Sequence, residues 1–285
     1  MQKLTSILAV LDQPAVAVSV LRKAADLARQ FDARLEILAI EPMRAARVTP
    51  QCAALGHPDI TVREVSRLGR RIDSLVLEQV HERNPDFVIK ARAGVNAVRR
   101  CSLTTNDWRL SQECPVPLML VTARPWAQPA RFAAAVDVSD HDTLEAARAV
   151  IHAAGFVALG CHGNLDILYT ERELHDERVR MERAVKLAQL VREFHVGCER
   201  LQMFDGVPEK RLPPLVSARQ YDVLVLGAVT HRTGLVDAIY PLTSRLVEAT
   251  SRDVLLVKAP GGEVRDLRPL PSICEQASHQ RQQLV

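Results

Sequence analysis

The chain has 285 residues, enough for one large domain or two of ordinary size, and its composition is normal for a globular protein. Its formal charge of +3 gives no case for nucleic acid or an anionic membrane as a partner, and no apolar run approaches the length of a membrane span. The six cysteines are scattered without a Cys-x-x-Cys pair, and the apolar run near the first residue is too short for a signal peptide. We therefore expect a cytoplasmic protein.

The first half of the chain alternates predicted strands and helices. Apolar runs predict strands at Ser6–Leu11, Leu35–Ile40, Phe87–Ala91 and Leu118–Val121, and alternating apolar residues predict a strand at Ile60–Val65. Helical spacing of apolar residues predicts helices at Ala15–Phe31, Arg70–Arg83 and Thr105–Glu113. Between Pro42 and Pro58, where a covering helix is normally found, there is room for only a turn or two.

A linker with two prolines, from Arg124 to Pro129, leads to the second half, which starts at Arg131. Its predicted strands are Phe132–Asp137, Phe156–Gly160, Glu199–Phe204, Val223–Leu226 and Val254–Val257. Its predicted helices run from a capping box at Asp142 to about Ala154, cover Thr170–Phe194, begin at Pro213 or Pro214, and begin at Pro241.

The two halves repeat one sequence pattern. Pro85–Lys90 matches Tyr221–Leu226 at a distance of 136 positions, and Pro117–Val121 matches Asp253–Val257 at the same distance. The opening strands correspond at a distance of 125 positions, so the repeat contains an internal change of length. A repeat of this size indicates a duplicated domain. We predict domains at residues 1–126 and 127–262, followed by a flexible tail at 263–285.

This order of elements resembles the universal stress protein domain, present twice over roughly residues 1–260. Six segments carry the resemblance: Thr105-Asn-Asp-Trp108, Cys114-Pro-Val-Pro117, Arg124-Pro-Trp126, Gly206-Val-Pro208, Asp222–Gly227 and Arg232-Thr-Gly234. Together they are similar to the tandem, E-type universal stress proteins of Gram-negative bacteria. The resemblance implies an α/β fold in which each domain has an open parallel five-stranded sheet of order 3-2-1-4-5 with helices on both faces. It also implies that the domains pair through their last strands, and it leaves a homodimer open.

Many members of this family bind ATP through an aspartate after the first strand and a glycine-rich loop after the fourth, where backbone N–H groups meet the phosphates. The resemblance assigns these positions to Asp12 in the first domain and, in the second, to Asp137, Val138, Gly206, Gly227, Gly234 and Thr243. Either aspartate is equally well interpreted as the cap of a local turn.

The phosphate loop departs from the family pattern in both halves. In the second half Thr230 or His231 replaces a glycine, and Pro241, which has no N–H, begins the segment where Gly-Ser/Thr is expected. In the first half Asp107 stands at the helix start, where its charge would repel phosphate. We find no catalytic constellation. The sequence favours a non-catalytic stress-response protein with a cleft for a small ligand or partner; the alternative is an ATP-binding protein or a slow ATPase, acting through the second domain.

Three further groups of residues bear on function. Cys161-His162 follows the predicted second strand of the second half, with His175 and His195 in the same half, but no pair has the spacing of a zinc site, so no metal is predicted. A basic group beside the fourth strand is interpreted as a solvated face rather than an anion site; it comprises Lys90, Arg92, Arg99 and Arg100. The two tryptophans, Trp108 and Trp126, are expected to pack at the domain interface. A DNA-binding regulator is disfavoured by the low charge.

Overall fold

The computed structural model describes residues 4–56, 59–92, 104–139, 141–171, 176–194, 197–228 and 236–258. The strands in these residues are β1 Ser6–Leu11, β2 Arg34–Ile40, β3 Ile60–Val65, β4 Phe87–Ala91, β5 Leu118–Val121, β6 Arg131–Val136, β7 Asn164–Glu171, β8 Arg200–Asp205, β9 Val223–Ala228 and β10 Asp253–Lys258. The helices are α1 Pro14–Phe31, α2 Ala45–Ala53, α3 Ile72–Arg83, α4 Thr105–Glu113, α5 His141–Gly160, α6 Glu177–Glu193, α7 Pro208–Ala218 and α8 Val236–Ala249. The predicted tail at 263–285 lies outside the described residues.

The strands form one ten-stranded sheet in the order β3-β2-β1-β4-β5-β10-β9-β6-β7-β8. Each set of five is parallel and has the order 3-2-1-4-5 within its own half, so the predicted fold class is confirmed. At the centre, β5 and β10 run antiparallel. Because strand direction reverses there, the carboxyl ends of the two sets of strands lie at opposite edges of the sheet. Sheets of this kind bind ligands beyond the carboxyl ends of their strands, so the two halves do not share one binding edge.

Apolar layers cover both faces of the sheet, and each layer runs through both halves. On one face α1 packs against α5, with the rings of Phe31 and Phe156 stacked at 4.6 Å between centroids. On the other face the layer includes Val76 of α3 and Val247 of α8, both fully buried. The halves are therefore joined by side-chain packing as well as by the pairing of β5 with β10.

Asp86 and Asp222 make the same contact in the two halves. Asp86 Oδ2 accepts a hydrogen bond from the backbone N–H of Ser6 at 3.1 Å, and Asp222 Oδ2 accepts one from the N–H of Arg131 at 2.9 Å. Ser6 and Arg131 are 125 positions apart, whereas the aspartates are 136 apart. The sequence offsets of 125 and 136 positions therefore belong to the two partners of one contact, which joins the first and fourth strands in each half.

The predicted strand at Phe156–Gly160 is wrong, because α5 continues through Gly160. Short apolar runs are ambiguous between strand and helix, and here buried residues follow helical spacing over the preceding turns, at Val150, Ile151, Ala154, Val157 and Ala158. The helix ends at Gly160, and the chain turns away at His162, which has a left-handed φ of 48°, while Gly163 N–H donates to the Ala158 carbonyl at 2.8 Å. The second strand of this half is β7 instead.

Several predicted helix bounds are also wrong. Because β7 extends to Glu171, α6 begins at Glu177 rather than Thr170. Prolines taken as helix starts lie inside helices: α7 begins at Pro208 and contains Pro213 and Pro214, and α8 begins at Val236 and contains Pro241. The segment between Pro42 and Pro58 holds the nine-residue helix α2, again with an internal proline. A proline inside a helix removes one backbone hydrogen bond, which tertiary packing has outweighed at each of these sites.

Candidate functional site

A buried triad of charged groups occupies the carboxyl edge of the first half. Asp12 follows β1, Lys90 lies near the end of β4, and Asp107 lies in the first turn of α4. Lys90 Nζ is 2.8 Å from Asp12 Oδ2 and 3.0 Å from Asp107 Oδ1, and it also donates to the Ala91 carbonyl at 3.0 Å. An ammonium group has three N–H donors, so this one is fully engaged. Thr104 caps α4 by accepting the Asp107 N–H at 3.2 Å, which fixes the position of that carboxylate.

The electrostatics of this triad disfavour an anionic ligand. Burial raises the pKa of Asp12, while the charge of Lys90 opposes that shift. Burial also acts to lower the pKa of Lys90, but the attraction of Asp12 and Asp107 outweighs it, and the pKa of Lys90 is raised. Two carboxylates and one ammonium leave a formal charge of −1. A phosphate group approaching the triad would meet net negative charge and a cation that is already paired.

In the second half, Asp137 and Val138 follow β6. Asp137 is exposed, and its Oδ1 accepts a hydrogen bond from the Ser139 N–H at 2.8 Å, which is the geometry of a local turn cap, while Val138 is buried. On the neighbouring strand β9, the carbonyl of Gly227 accepts a hydrogen bond from Oγ1 of Thr243, a residue of α8, at 3.1 Å. This bond ties α8 to the end of β9. A Cβ at Gly227 would only make ordinary contact with Val150, at 3.6 Å, so its backbone does not require glycine.

Gly206 lies at the same edge, after β8. Its φ of 124° is one that favours glycine, and its N–H donates to the Glu171 carbonyl at 3.0 Å. Because β7 separates β8 from β6, Gly206 and Asp137 stand about 10 Å apart across the sheet. Gly234 lies outside the described residues, as does the rest of the loop at 229–235.

The strand β7 adds two side chains to this edge that sequence analysis missed, Tyr169 and Glu171, and α6 adds a third, Arg183. Tyr169 donates its hydroxyl hydrogen to Glu171 Oε2 at 2.6 Å, and Arg183 Nε lies 3.6 Å from the same carboxylate oxygen. Burial raises the pKa of Tyr169, and the charges of Glu171 and Asp137 raise it further. The missed signal is the alternation of Leu165, Ile167 and Tyr169, which is typical of a strand; the wrong helix prediction had covered its end.

No protein-family model matches the chain. It is 23% identical over 188 residues to the universal stress protein E homolog of Haemophilus influenzae, and 22% identical over 203 residues to universal stress protein E of Salmonella typhi. These matches cover 60% and 65% of this chain, and 60% and 64% of those relatives, so the chain spans less than two thirds of their length.

Solved structures agree over much more of the chain. A functionally unknown protein of Pseudomonas aeruginosa PAO1 superposes with a TM-score of 0.76 at 22% identity, covering 90% of this chain and 93% of that one. A universal stress protein of Archaeoglobus fulgidus gives a TM-score of 0.66 at 14% identity, covering 91% and 100%. This chain has the universal stress protein fold. Its resemblance to the E-type proteins is confirmed by the relatives that carry that name.

Within the universal stress fold, Cys161 and His162 lie at the wrong edge for a ligand. They follow α5 and precede the amino end of β7, whereas they were predicted to follow a strand. Burial raises the pKa of the Cys161 thiol to about 12. His175 and His195 lie outside the described residues, and within the part of the chain that is described no group of three or more His, Cys, Asp or Glu could hold a metal ion.

The predicted solvated basic face is wrong for its two described members. Lys90 is buried in the triad, and Arg92 is fully buried, with Nη1 donating to the Thr250 carbonyl at 2.8 Å and Nη2 to the Val247 carbonyl. These carbonyls end α8 of the other half, where a cation is favoured by the helix dipole. Lys258 makes the reciprocal contact with the Gln112 carbonyl near the end of α4. Arg99 and Arg100 lie outside the described residues.

No helix among the described residues combines the length and apolarity needed to cross a bilayer.

Proposed function

We propose that this chain is a non-catalytic stress-response protein of the cytoplasm whose first half has lost the nucleotide pocket of the universal stress fold. The observation that supports this is Lys90 held between Asp12 and Asp107. In the family pattern the position of Asp12 faces adenine, but here its carboxylate is buried against a lysine of the same domain. A nucleotide would have to displace an ammonium group that is ion-paired with two carboxylates and hydrogen-bonded to the Ala91 carbonyl.

The size of this barrier follows from the bonds that would be broken. Hydrogen bonds that involve a charged group contribute about 1.5–3 kcal/mol each. Displacing Lys90 from both carboxylates therefore opposes binding by about 3–6 kcal/mol, which corresponds to a loss of affinity of a hundredfold or more, since about 1.4 kcal/mol is tenfold. Nucleotide binding in the first half at micromolar concentration is not expected.

A second candidate function is adenine-nucleotide binding by the second half, and the position of Pro241 favours it. Pro241 lies inside α8, so the N–H that it lacks would have bonded within the helix and not to a phosphate. The first turn of α8 begins at Val236, directly after the loop at 229–235, and the first N–H groups of a helix favour anions. Asp137 is exposed at the neighbouring strand end. The negative charge of Glu171 at the same edge disfavours the binding of a phosphate group there.

Isothermal calorimetry with magnesium and ATP tests both candidates. The proposal expects no heat at micromolar ATP for the wild-type chain, and no hydrolysis. If heat is observed, Asp137→Ala should abolish it under the second candidate, whereas Asp12→Ala should leave it unchanged. Binding that is lost in Asp12→Ala would overturn the proposal for the first half. Asp26→Ala, at an exposed pair with Arg29, is the matched control.

A further inference from the structure

Arg252, which immediately precedes β10, has a buried guanidinium in which two of the three nitrogens lack hydrogen-bond partners. The residue is 4% exposed, and its Nη2 donates to the Ser217 carbonyl at the end of α7, at 3.2 Å. Its Nε and Nη1 are shielded from water and donate to no atom. Buried N–H groups are almost always paired, and a group that is not points to an ion or water that the site holds.

Neither neighbouring carboxylate satisfies these N–H groups. Asp253 Oδ1 accepts from the N–H and the hydroxyl of Thr122, both at 2.8 Å, and its Oδ2 accepts from Lys23 and Trp126. Asp222 Oδ2 is directed to the N–H of Arg131. Both oxygens of Asp253 and Oδ2 of Asp222 therefore hold the backbone and the linker, although the charges of both carboxylates act on Arg252 from a distance.

Arg124 of the linker adds a second positive charge at this place. Thr122 contacts Asp253 and also accepts the N–H of Arg124 at 3.3 Å, so the chain leaving β5 passes beside the start of β10. Burial lowers the pKa of Arg252, and the charge of Arg124 lowers it further, while Asp222 and Asp253 act in the opposite direction. The two guanidinium groups therefore repel each other, and Arg124 is exposed.

We propose that Arg124 and Arg252 bind a small phosphate-type oxyanion at the junction of the two halves. A guanidinium presents its N–H donors in a planar fork that matches phosphate oxygens, and one anion between two such groups replaces their repulsion with attraction. The exposed Arg124 receives the anion first. The covered N–H groups of Arg252 then become accessible through a local shift of side chains. This site lies at the amino end of β10, away from the edge that carries Asp137.

The occupied site joins the linker of the first half to β10 of the second. An anion held there stabilises the native junction and is absent from the unfolded chain, so it should raise the unfolding temperature by mass action. Because the contact uses phosphate oxygens alone, inorganic phosphate and the phosphate of a nucleotide are both suitable sources, and the experiment separates them.

Thermal unfolding of the full chain is measured with inorganic phosphate up to roughly 10 mM, and separately with AMP, at constant ionic strength set with sodium chloride. We expect phosphate to raise the unfolding temperature of the wild type and of the control Arg178→Ala, on the exposed face of α6. In Arg124→Ala the phosphate concentration needed for the same shift should rise at least about tenfold. Arg252→Lys keeps the positive charge but loses the planar fork of N–H donors. It should also need a higher phosphate concentration for the same shift, as Arg124→Ala does.

Arg124 is exposed, so its variant folds even if the Arg252 variant does not, and it alone decides the outcome. No shift with phosphate in the wild type, or an equal shift in Arg124→Ala, overturns the proposal. A shift with AMP that is lost in Arg124→Ala supports a nucleotide as the source, provided that it persists in Asp137→Ala. Loss in Asp137→Ala with retention in Arg124→Ala assigns AMP to the other edge and counts against this site as a nucleotide site.

Discussion

Met119 and Leu255 face each other across the antiparallel pair of β5 and β10, and they are 136 positions apart in the chain. They are therefore equivalent positions of the repeat, and a pseudo-twofold axis passes between them. The flanking pairs, Leu118 with Leu256 and Leu120 with Val254, are related by the same rotation. A twofold interface uses the same patch on both partners. Each half thus stands where a second copy would stand in a dimer of single domains.

Expressed alone, residues 1–126 should therefore dimerise or aggregate, because β5 would leave an apolar edge without its partner. Multi-angle light scattering of the isolated half should give at least twice its monomer mass. The full chain should not associate through β5, because β10 already covers that edge. Met119→Lys in the isolated half places two like charges at the axis and should suppress the dimer. A first half that stays monomeric at high concentration would contradict the prediction.

Asp253→Ala should destabilise the protein strongly. The carboxylate accepts hydrogen bonds from Lys23 at 2.5 Å and from the Trp126 indole at 2.7 Å, in addition to both donors of Thr122. Removing it leaves Lys23 buried without its carboxylate, a change that typically costs about 3–5 kcal/mol. Urea unfolding measures the loss. Adding Lys23→Met should recover part of it, since the unpaired charge is then gone; no recovery would mean that the other donors dominate.

The strands of the first half could be predicted almost residue by residue. The strand Phe87–Ala91 is buried throughout and is an apolar run apart from Lys90, whereas the edge strand Ile60–Val65 is partly exposed and alternates; both have the predicted bounds. The second half was harder because Phe156–Gly160 is as apolar as a strand but completes a helical stripe. A tertiary contact decides between strand and helix for this segment, because Phe156 stacks on Phe31, a residue of the other half. No local pattern contains that contact.

The candidate site shows the same limit. Asp12, Lys90 and Asp107 were each singled out in the sequence, for adenine, for a basic face and for phosphate repulsion respectively. That they form one buried ion-paired cluster depends on three distant segments meeting at one edge. The pairing of Arg92 with the end of α8 likewise depends on the reversal between β5 and β10. Periodicity predicts the elements, and their juxtaposition follows only from the assembled sheet.

Gly160→Ala should destabilise the chain, although alanine normally favours a helix by about 1 kcal/mol over glycine. A Cβ there would lie 2.0 Å from Cζ of Phe31, so the Phe31 ring must leave its stack on Phe156. We expect a net loss of about 1–3 kcal/mol in urea unfolding, as for other overpacked cores. Combining it with Phe31→Leu should give less than the sum of the two losses. Gly197→Ala, with nothing within 4 Å, is the control, and equal behaviour of the two glycines would refute the clash.

Lys90→Met should leave two buried carboxylates facing each other, and its effect should depend on pH. Near neutral pH the loss of stability is expected to be about 3–5 kcal/mol, as for other buried pairs that lose one partner. Two carboxylates that share one site do not both ionise readily, so one of them takes up a proton as the pH falls. The deficit relative to the wild type should therefore shrink toward about pH 5.

The pKa shifts of the wild type give the direction in which each group changes the stability with pH. The pKa of Lys90 is raised, so its stabilisation is complete below its unfolded value of 10.5 and is lost as the pH rises through the higher folded value. The pKa of Asp12 is also raised, so from this group the native state gains stability as the pH falls from the folded value toward 3.8. Urea unfolding at both pH values measures the difference. Lys186→Met, at an exposed pair with Glu182, should show no comparable deficit at either pH. If the Lys90→Met deficit were the same at both, the carboxylates would not be sharing a proton, and the closed first-half site would have to be explained by packing alone.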